Sequence, residues 1–337
     1  MAYLKFNKAE LVNLEYSLKR ELISTNIGGG YTNTTIVCCN TRKYHGLLVV
    51  PVDNFGGSKH ILLSSLDETL IQHGRPFNLG IHNYGSVFEP KGHKYIIDFE
   101  MDPVPVITYR VGGMVFRKSM IFSSKNEDQL LIKYTLVDAH SNTILRLKPF
   151  LAFRNTHSLT RANSDADTHY RNIENGVAFK MYQGFPDLNL QVSKPCDYVA
   201  SPDWYYKIVY QEEYRRGFDC TEDLFVPGYF EMPIKKGETI IFSASTNECA
   251  PNTLKAKFTR ELNALDPQES YEDCLRDAAK QLFITRNGKT EICAGYSWLE
   301  SGLLRETCVA LPGLTLYNNG NVKLFNRILN DTISSHK

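Results

Sequence analysis

A change of hydrophobic period near residue 250 divides this sequence. Before it, β-branched and aromatic runs follow one another, with turn signals at intervals of about ten residues. Thr35-Ile36-Val37-Cys38-Cys39 and Tyr44 to Val50 read as two strands joined by the turn-compatible link Asn40-Thr41-Arg42-Lys43. Tyr109-Arg110-Val111 and Met114-Val115-Phe116 flank Gly112-Gly113, a two-residue hairpin turn that needs φ > 0 and so favours glycine. Leu130 to Val137 is a further strand. Ile144 to Lys148 alternates, which puts one face inside and one in water. Tyr229 to Ala244 repeats the pattern around Lys235-Lys236-Gly237. Such a chain stacks sheet on sheet, and the strand count exceeds that of a small sandwich.

Past residue 250 the apolar positions fall on helical spacing. Leu254, Phe258, Leu262 and Leu265 share one face, and Asp266-Pro267 ends that helix. Tyr271, Leu275, Ala278, Ala279, Leu282 and Phe283 mark a second helix, and Val322, Phe325, Ile328, Leu329 and Thr332 a third. The expected fold is therefore mainly β, with a large antiparallel β-sandwich over residues 1–250 and a short helical segment over 251–337. The helical segment is too small for a core of its own, so it packs on the sandwich or opens something larger.

Charge narrows the partners. Lys plus Arg number 38 and Asp plus Glu 37, a net charge of +1. No basic stripe is available to grip a phosphate backbone or an anionic membrane, so neither nucleic acid nor a lipid surface is expected as a partner. Nineteen tyrosines and 18 phenylalanines suit sheets, and suit flat hydroxylated ligands. The eight cysteines contain no CxxC pair and no zinc spacing with histidine, so no metal or other cofactor is expected. The opening MAYLKFNKAELVNLEYSLKR carries charges throughout and lacks the apolar stretch of a secretory leader. The expectation from these features is a cytoplasmic protein with reduced thiols.

Several clusters are candidates for chemistry. Thr25-Asn26-Ile27-Gly28-Gly29-Gly30-Tyr31 is glycine-rich but has neither dinucleotide nor P-loop spacing, and reads as a tight bend entering the first hairpin. Asp165, Asp167 and His169 alternate in a polar stretch that reads as a solvated loop. Asn40-Thr41-Arg42-Lys43-Tyr44-His45-Gly46 gathers donors and rings in one link. Arg42, Tyr44 and His45 either contact a sugar or satisfy backbone carbonyls around the hairpin. Trp204, Tyr205 and Arg216 form an aromatic and cationic group that fits a domain interface, since such side chains anchor interfaces. Ala294-Gly295-Tyr296-Ser297-Trp298 leads to Arg305-Glu306-Thr307 and then Ala310-Leu311-Pro312-Gly313-Leu314. A carboxylate beside Arg305, near Trp298 and ahead of an apolar run suits a glycosidase acid; the plain alternative is a helix-surface ion pair.

On two of these stretches the sequence resembles the bacterial and archaeal type of glycogen debranching enzyme. Thr25-Asn26, Gly29-Gly30-Tyr31 and Asn40 to Val49 are similar to that family's glycine bend followed by N-T-R-x-Y-H-G-L-L, and Leu66-Asp67-Glu68 fits as well. Ala294-Gly295-Tyr296, Trp298 and Ala310 to Leu314 are similar to the entrance of the family's catalytic domain. The resemblance implies an N-terminal sandwich of the supersandwich type, then an (α/α)6 barrel with amylo-α-1,6-glucosidase activity on α-glucan. It puts Glu306 at the position of the general acid, and Arg42, Tyr44, His45, Trp298 and Arg305 are the residues expected to bind substrate. The family has Trp-Gly-Arg-Asp-Thr where this chain has Leu303-Leu304-Arg305-Glu306-Thr307. The extra methylene of Glu306 displaces the carboxyl by about one bond, a shift that can cost on the order of 100-fold in rate.

A twelve-helix barrel needs well over about 200 residues, more than follow Ile284. The second carboxylate of an inverting pair then falls beyond the last residue. The expectation is the N-terminal portion of a debranching enzyme, inactive alone, that binds α-glucan and supports a barrel missing from this chain. The alternative is a stand-alone, non-catalytic carbohydrate-binding sandwich. A mutarotase-like enzyme would need a histidine paired with a carboxylate, and no spacing pairs His45, His82 or His157 with one.

Overall fold

The computed structural model describes residues 3–125, 127–299, 301–318 and 320–335 of the 337. Met1 and Ala2 of the opening segment lie outside the described residues. Two large antiparallel sheets dominate. Among the described residues, one sheet has nine strands. It runs from Lys5–Asn7 through Ile96–Met101, Pro105–Val111, Met114–Phe122, Gln129–Asp138, Thr239–Ser245, Leu188–Val192 and Gly176–Phe179 to Tyr170–Ile173. The other runs from Asp197–Val209 through Thr221–Ile234, Thr143–Asn155, Ser58–Gln72, Gly46–Val52 and Tyr31–Thr35 to Glu21–Thr25. Its eighth strand, Arg75–Asn78, folds back on Ser58–Gln72.

The expected hairpin is present: Val111 faces Met114, and Gly112 and Gly113 take φ of +57° and +80°. In Thr143–Asn155, Leu145, Leu147 and Leu151 point into the core between the sheets, while Ile144 is exposed. Phe150 and Ala152 project from the opposite face into a second apolar cluster with Tyr31, Val49, Ile61 and Leu224. Both faces of the eight-stranded sheet are thus covered. Tyr84, Tyr205 and Tyr296 pack over the outer cluster, brought there by three separate segments. One ion pair crosses the inter-sheet core. Lys118 on one sheet lies 2.7 Å from Glu68 on the other, and the Tyr134 hydroxyl donates to the same carboxylate at 2.6 Å.

Two boundaries differ from the sequence expectation. The strand expected over Thr35–Cys39 ends at Thr35. The Thr35 hydroxyl donates to the Cys39 carbonyl and accepts from its N–H, and Cys38 turns back with φ of +60°. Ile36 and Val37 are apolar because they enter the core from a turn. The second helix stops at Lys280 and excludes Leu282 and Phe283. Phe283–Arg286 instead pairs with Lys289–Ile292 across Asn287-Gly288, whose φ values of +51° and +77° make a two-residue turn. Two long strands, Ser58–Gln72 and Asp197–Val209, are additional to those expected. Asp197–Val209 holds Pro202 because it is an edge strand with a register shift there.

Helical structure follows residue 250. Leu254–Asn263 seats Leu254 and Phe258 against Ile121, Leu131 and Ile241 of the nine-stranded sheet. Tyr271–Lys280 begins on a reciprocal cap between Ser270 and Asp273. Leu304–Leu311 and Val322–Ser335 bury a small core of Ile292, Leu311 and Ile328. No described helix is long and apolar enough to cross a membrane. All eight cysteines are free thiols.

Candidate functional site

The site forms where two distant stretches of sequence meet. The first is the link from Ile36 to His45, between Tyr31–Thr35 and Gly46–Val52. Its shape is fixed by its own polar groups. Asn40 accepts from the Thr34 hydroxyl and donates to the Ser64 carbonyl. The Thr41 N–H donates to His45 Nδ1 at 3.2 Å, and the Arg42 carbonyl accepts from the His45 N–H.

His45 is fully buried. Because Nδ1 accepts, its proton sits on Nε2, 3.4 Å from Glu21 Oε2. Burial pushes the His45 pKa down, against the pull of Glu21. Burial of Glu21 raises its pKa, but hydrogen bonding and charge from its His45 and Arg42 neighbours outweigh that and bring it to about 2. Arg42 Nε reaches Glu21 at 2.7 Å. Of the two readings of this link, His45 fits bracing.

The second stretch is Ala294 to Leu299, which docks on the first. The Tyr296 ring meets Tyr31 edge-on at 5.5 Å, and Ser297 Oγ accepts from Asn33 at 2.9 Å. The Trp298 indole lies 6.1 Å from the Tyr44 ring and 5.1 Å from the Arg42 guanidinium. His157 also packs edge-on with Tyr44, at 5.4 Å. Tyr44 is buried and Trp298 is 38% exposed, so the tryptophan is the presented surface and Tyr44 and Arg42 are its support. A recess of about 310 Å³ opens beside it, lined by Ser58, Asn155, His157, Arg286 and Trp298.

The glycine bend holds these stretches together. Thr285 N–H donates to the Ile27 carbonyl at 2.7 Å. Gly29 has φ of +91°, and a Cβ there would sit 3.3 Å from the Ile284 side chain. The bend serves close approach of the C-terminal hairpin, in keeping with its reading as a bend rather than a phosphate loop.

Sequence reasoning missed the network beneath the link. Arg154 is buried and pairs with buried Glu222 through Nε and Nη2. The same carboxylate accepts from the Tyr210 hydroxyl and from the Thr160 N–H. Arg154 Nη2 also donates to the Lys43 carbonyl at 2.7 Å. No local spacing signals this set, which draws on five separate stretches of the chain. Spacing pairs neither His45 nor His82 with a carboxylate, and the structure corrects both: His45 Nε2 lies 3.4 Å from Glu21 Oε2, and His82 Nε2 lies 2.9 Å from Asp67 Oδ1.

The remaining candidates do not gather at the platform as one group. Trp204 faces Phe225 at 5.4 Å and packs toward the inter-sheet core. Tyr205, the next residue, packs on the outer cluster. Arg216 caps Gln211–Arg215 and lies 3.7 Å from Glu213 and 5.0 Å from the Phe218 ring. Arg305 and Glu306 lie in the first turn of Leu304–Leu311, 3.9 Å apart, with Arg305 89% exposed. Asp167 and His169 bond to each other on an exposed loop.

A bacterial glucoamylase complexed with acarbose is 10% identical, with a TM-score of 0.39, over 78% of this chain and 40% of its own. A putative kojibiose phosphorylase from the human microbiome is 9% identical, with a TM-score of 0.29, over 76% of this chain and 30% of its own. The chain thus spans well under half the length of these structures. No curated protein matches it. Residues 20–241, which hold the bend, the link and most of both sheets, match the model of the glycogen debranching enzyme N-terminal domain, and the chain belongs to that family.

Proposed function

We propose that this chain is the N-terminal portion of a glycogen debranching enzyme acting on α-1,6-glucosidic branch points of glycogen-type α-glucans. In this reading residues 1–250 form a glucan-holding sandwich, and residues 251–337 are a linker and the opening of an (α/α)6 barrel. The observation that carries it is the meeting of Arg42, Tyr44 and Trp298, which sets an indole face at the surface beside a polar recess. An exposed ring stacks on the CH face of a pyranose, and neutral hydrogen bonds of about 1 kcal/mol each add to it. Weak contacts suffice where a covalently joined barrel keeps the local concentration high.

Glu306 is the proposed acid, with Arg305 beside it. It enters from a helix start, where a second, opposed carboxylate from the barrel would activate water. In this reading the seam with the barrel runs by Arg216, beside exposed Phe218; of the other two seam candidates, Trp204 turns toward the sandwich core and Tyr205 packs on the outer cluster. Free thiols and balanced charge fit a cytoplasmic glucan enzyme.

The experiment is glucose release from a limit dextrin, measured for this chain alone and for the chain joined to its barrel. Release only by the joined protein, abolished by Glu306→Gln, is expected. Binding of maltoheptaose without release by either protein would favour the stand-alone binding module.

A further inference from the structure

A second recess, of about 290 Å³, shares no lining residue with the one beside Trp298. It lies on the outer side of the eight-stranded sheet, and its walls include Asp67, His82, Tyr84, Glu89, Lys148 and Tyr205. Its volume is at the low end of small-molecule sites, which suits one or two sugar rings.

The recess is built rather than incidental. A Cβ at Gly80 would fall 2.4 Å from the Asp67 carboxyl, so only glycine there lets the carboxylate occupy its place. The buried His82 ring holds Asp67 through Nε2 at 2.9 Å and lies 4.6 Å from the Phe150 ring. Tyr205 stands edge-on to Phe150 at 5.0 Å, and its hydroxyl accepts from Lys148 Nζ at 3.0 Å. Asp67, His82, Lys148 and Tyr205 are each oriented by an internal bond and keep capacity for more. A carboxylate has about four acceptor sites and an ammonium three donors.

Charge selects the ligand class. Asp67 and Glu89 face Lys148, while Glu89 is also paired with Lys91 at 3.0 Å. No excess of positive charge is present to hold a phosphate or sulfate. Carboxylate acceptors, an ammonium donor and two tyrosine rings match the hydroxyls and CH faces of a neutral pyranose.

We propose that this recess is a second carbohydrate-binding site, taking a neutral glucose or maltose unit, with Asp67 accepting from ring hydroxyls and Tyr205 supplying the apolar wall. It rests on the reading of the chain as a glucan-handling protein. It is also separate from the Trp298 platform, so the two can fail independently.

Glucose and maltose are titrated into the full chain by calorimetry and saturation-transfer NMR. Tyr205→Ala and Asp67→Asn should each weaken maltose binding by about tenfold, the worth of one charged hydrogen bond or stacked ring. Lys148→Met is a second variant that leaves the His82–Asp67 pair intact, with folding checked by urea midpoint, and it should weaken binding as well. Trp298→Ala should leave this component unchanged. The proposal is overturned by absence of saturable binding of either sugar. It is equally overturned by maltose affinity that Trp298→Ala removes and that Tyr205→Ala and Lys148→Met leave intact.

Discussion

Trp298 and Arg42 are 256 positions apart in sequence, yet the guanidinium lies 5.1 Å from the indole centroid. Arg42 is at the same time held by Glu21 at 2.7 Å. The cation is therefore fixed by its carboxylate and cannot swing to solvent without breaking an ion pair. That contact joins the link, which lies within the matched N-terminal domain, to the Ala294–Leu299 stretch, and it makes them one surface.

Arg154 and Glu222 support this surface from below. Replacing either one by an apolar residue leaves the other charge buried, at a cost of about 3–5 kcal/mol. Arg154→Met and Glu222→Leu should each lower the urea midpoint accordingly. Arg154→Met should also loosen the link, seen as faster amide exchange at His45, because the Lys43 carbonyl loses its partner.

Lys118 and Glu68 make a different case, because their ion pair lies between the sheets and away from the platform. Lys118→Met alone should cost about 3–5 kcal/mol. Adding Glu68→Leu should recover part of this, but not all, because the Tyr134 hydroxyl then loses its acceptor. A double-mutant cycle by urea denaturation reads the coupling, and strict additivity would contradict the pairing.

Acid should weaken the link in two stages. The His45 pKa is depressed by burial, so the folded state binds fewer protons than the unfolded chain. Its stabilisation is complete above the unfolded value of about 6.5 and is lost as pH falls through the lower folded value. Glu21, lowered from 4.5 to about 2, contributes above 4.5, and that contribution disappears between 4.5 and about 2. Stability measured against pH should fall across both windows, and Glu21→Gln should flatten the more acidic one.

Gly29→Ala places a side chain at φ of +91° and 3.3 Å from Ile284. The backbone term alone is about 1–2 kcal/mol. Hydrogen exchange should quicken across Phe283–Ile292, while the inter-sheet strands keep their protection.

Much of the sandwich was legible because each hairpin carries its own local signal. Gly112-Gly113 and the alternation from Ile144 to Lys148 are examples. The run Thr35–Cys39 misled because Ile36 and Val37 are apolar for burial in a turn, which a strand pattern cannot distinguish. Phe283 misled because apolar residues continue at helical spacing past Lys280, while the turn that marks its hairpin, Asn287-Gly288, lies further on. The pairs Arg154–Glu222, His82–Asp67 and Arg42–Trp298 are long-range, and no spacing within one segment encodes them. In the link itself, composition alone left bracing and ligand contact open, and only the acceptor role of His45 Nδ1 shows which residue braces.

Binding of maltoheptaose to the full chain, followed by tryptophan fluorescence, tests the platform most directly. Trp204 and Trp298 are the only two tryptophans, and Trp204 is packed toward the core. The account predicts a saturable change in emission that is absent in Trp298→Ala, retained in Trp204→Phe, and weakened by about tenfold in Arg42→Ala. An unchanged response in Trp298→Ala would contradict it.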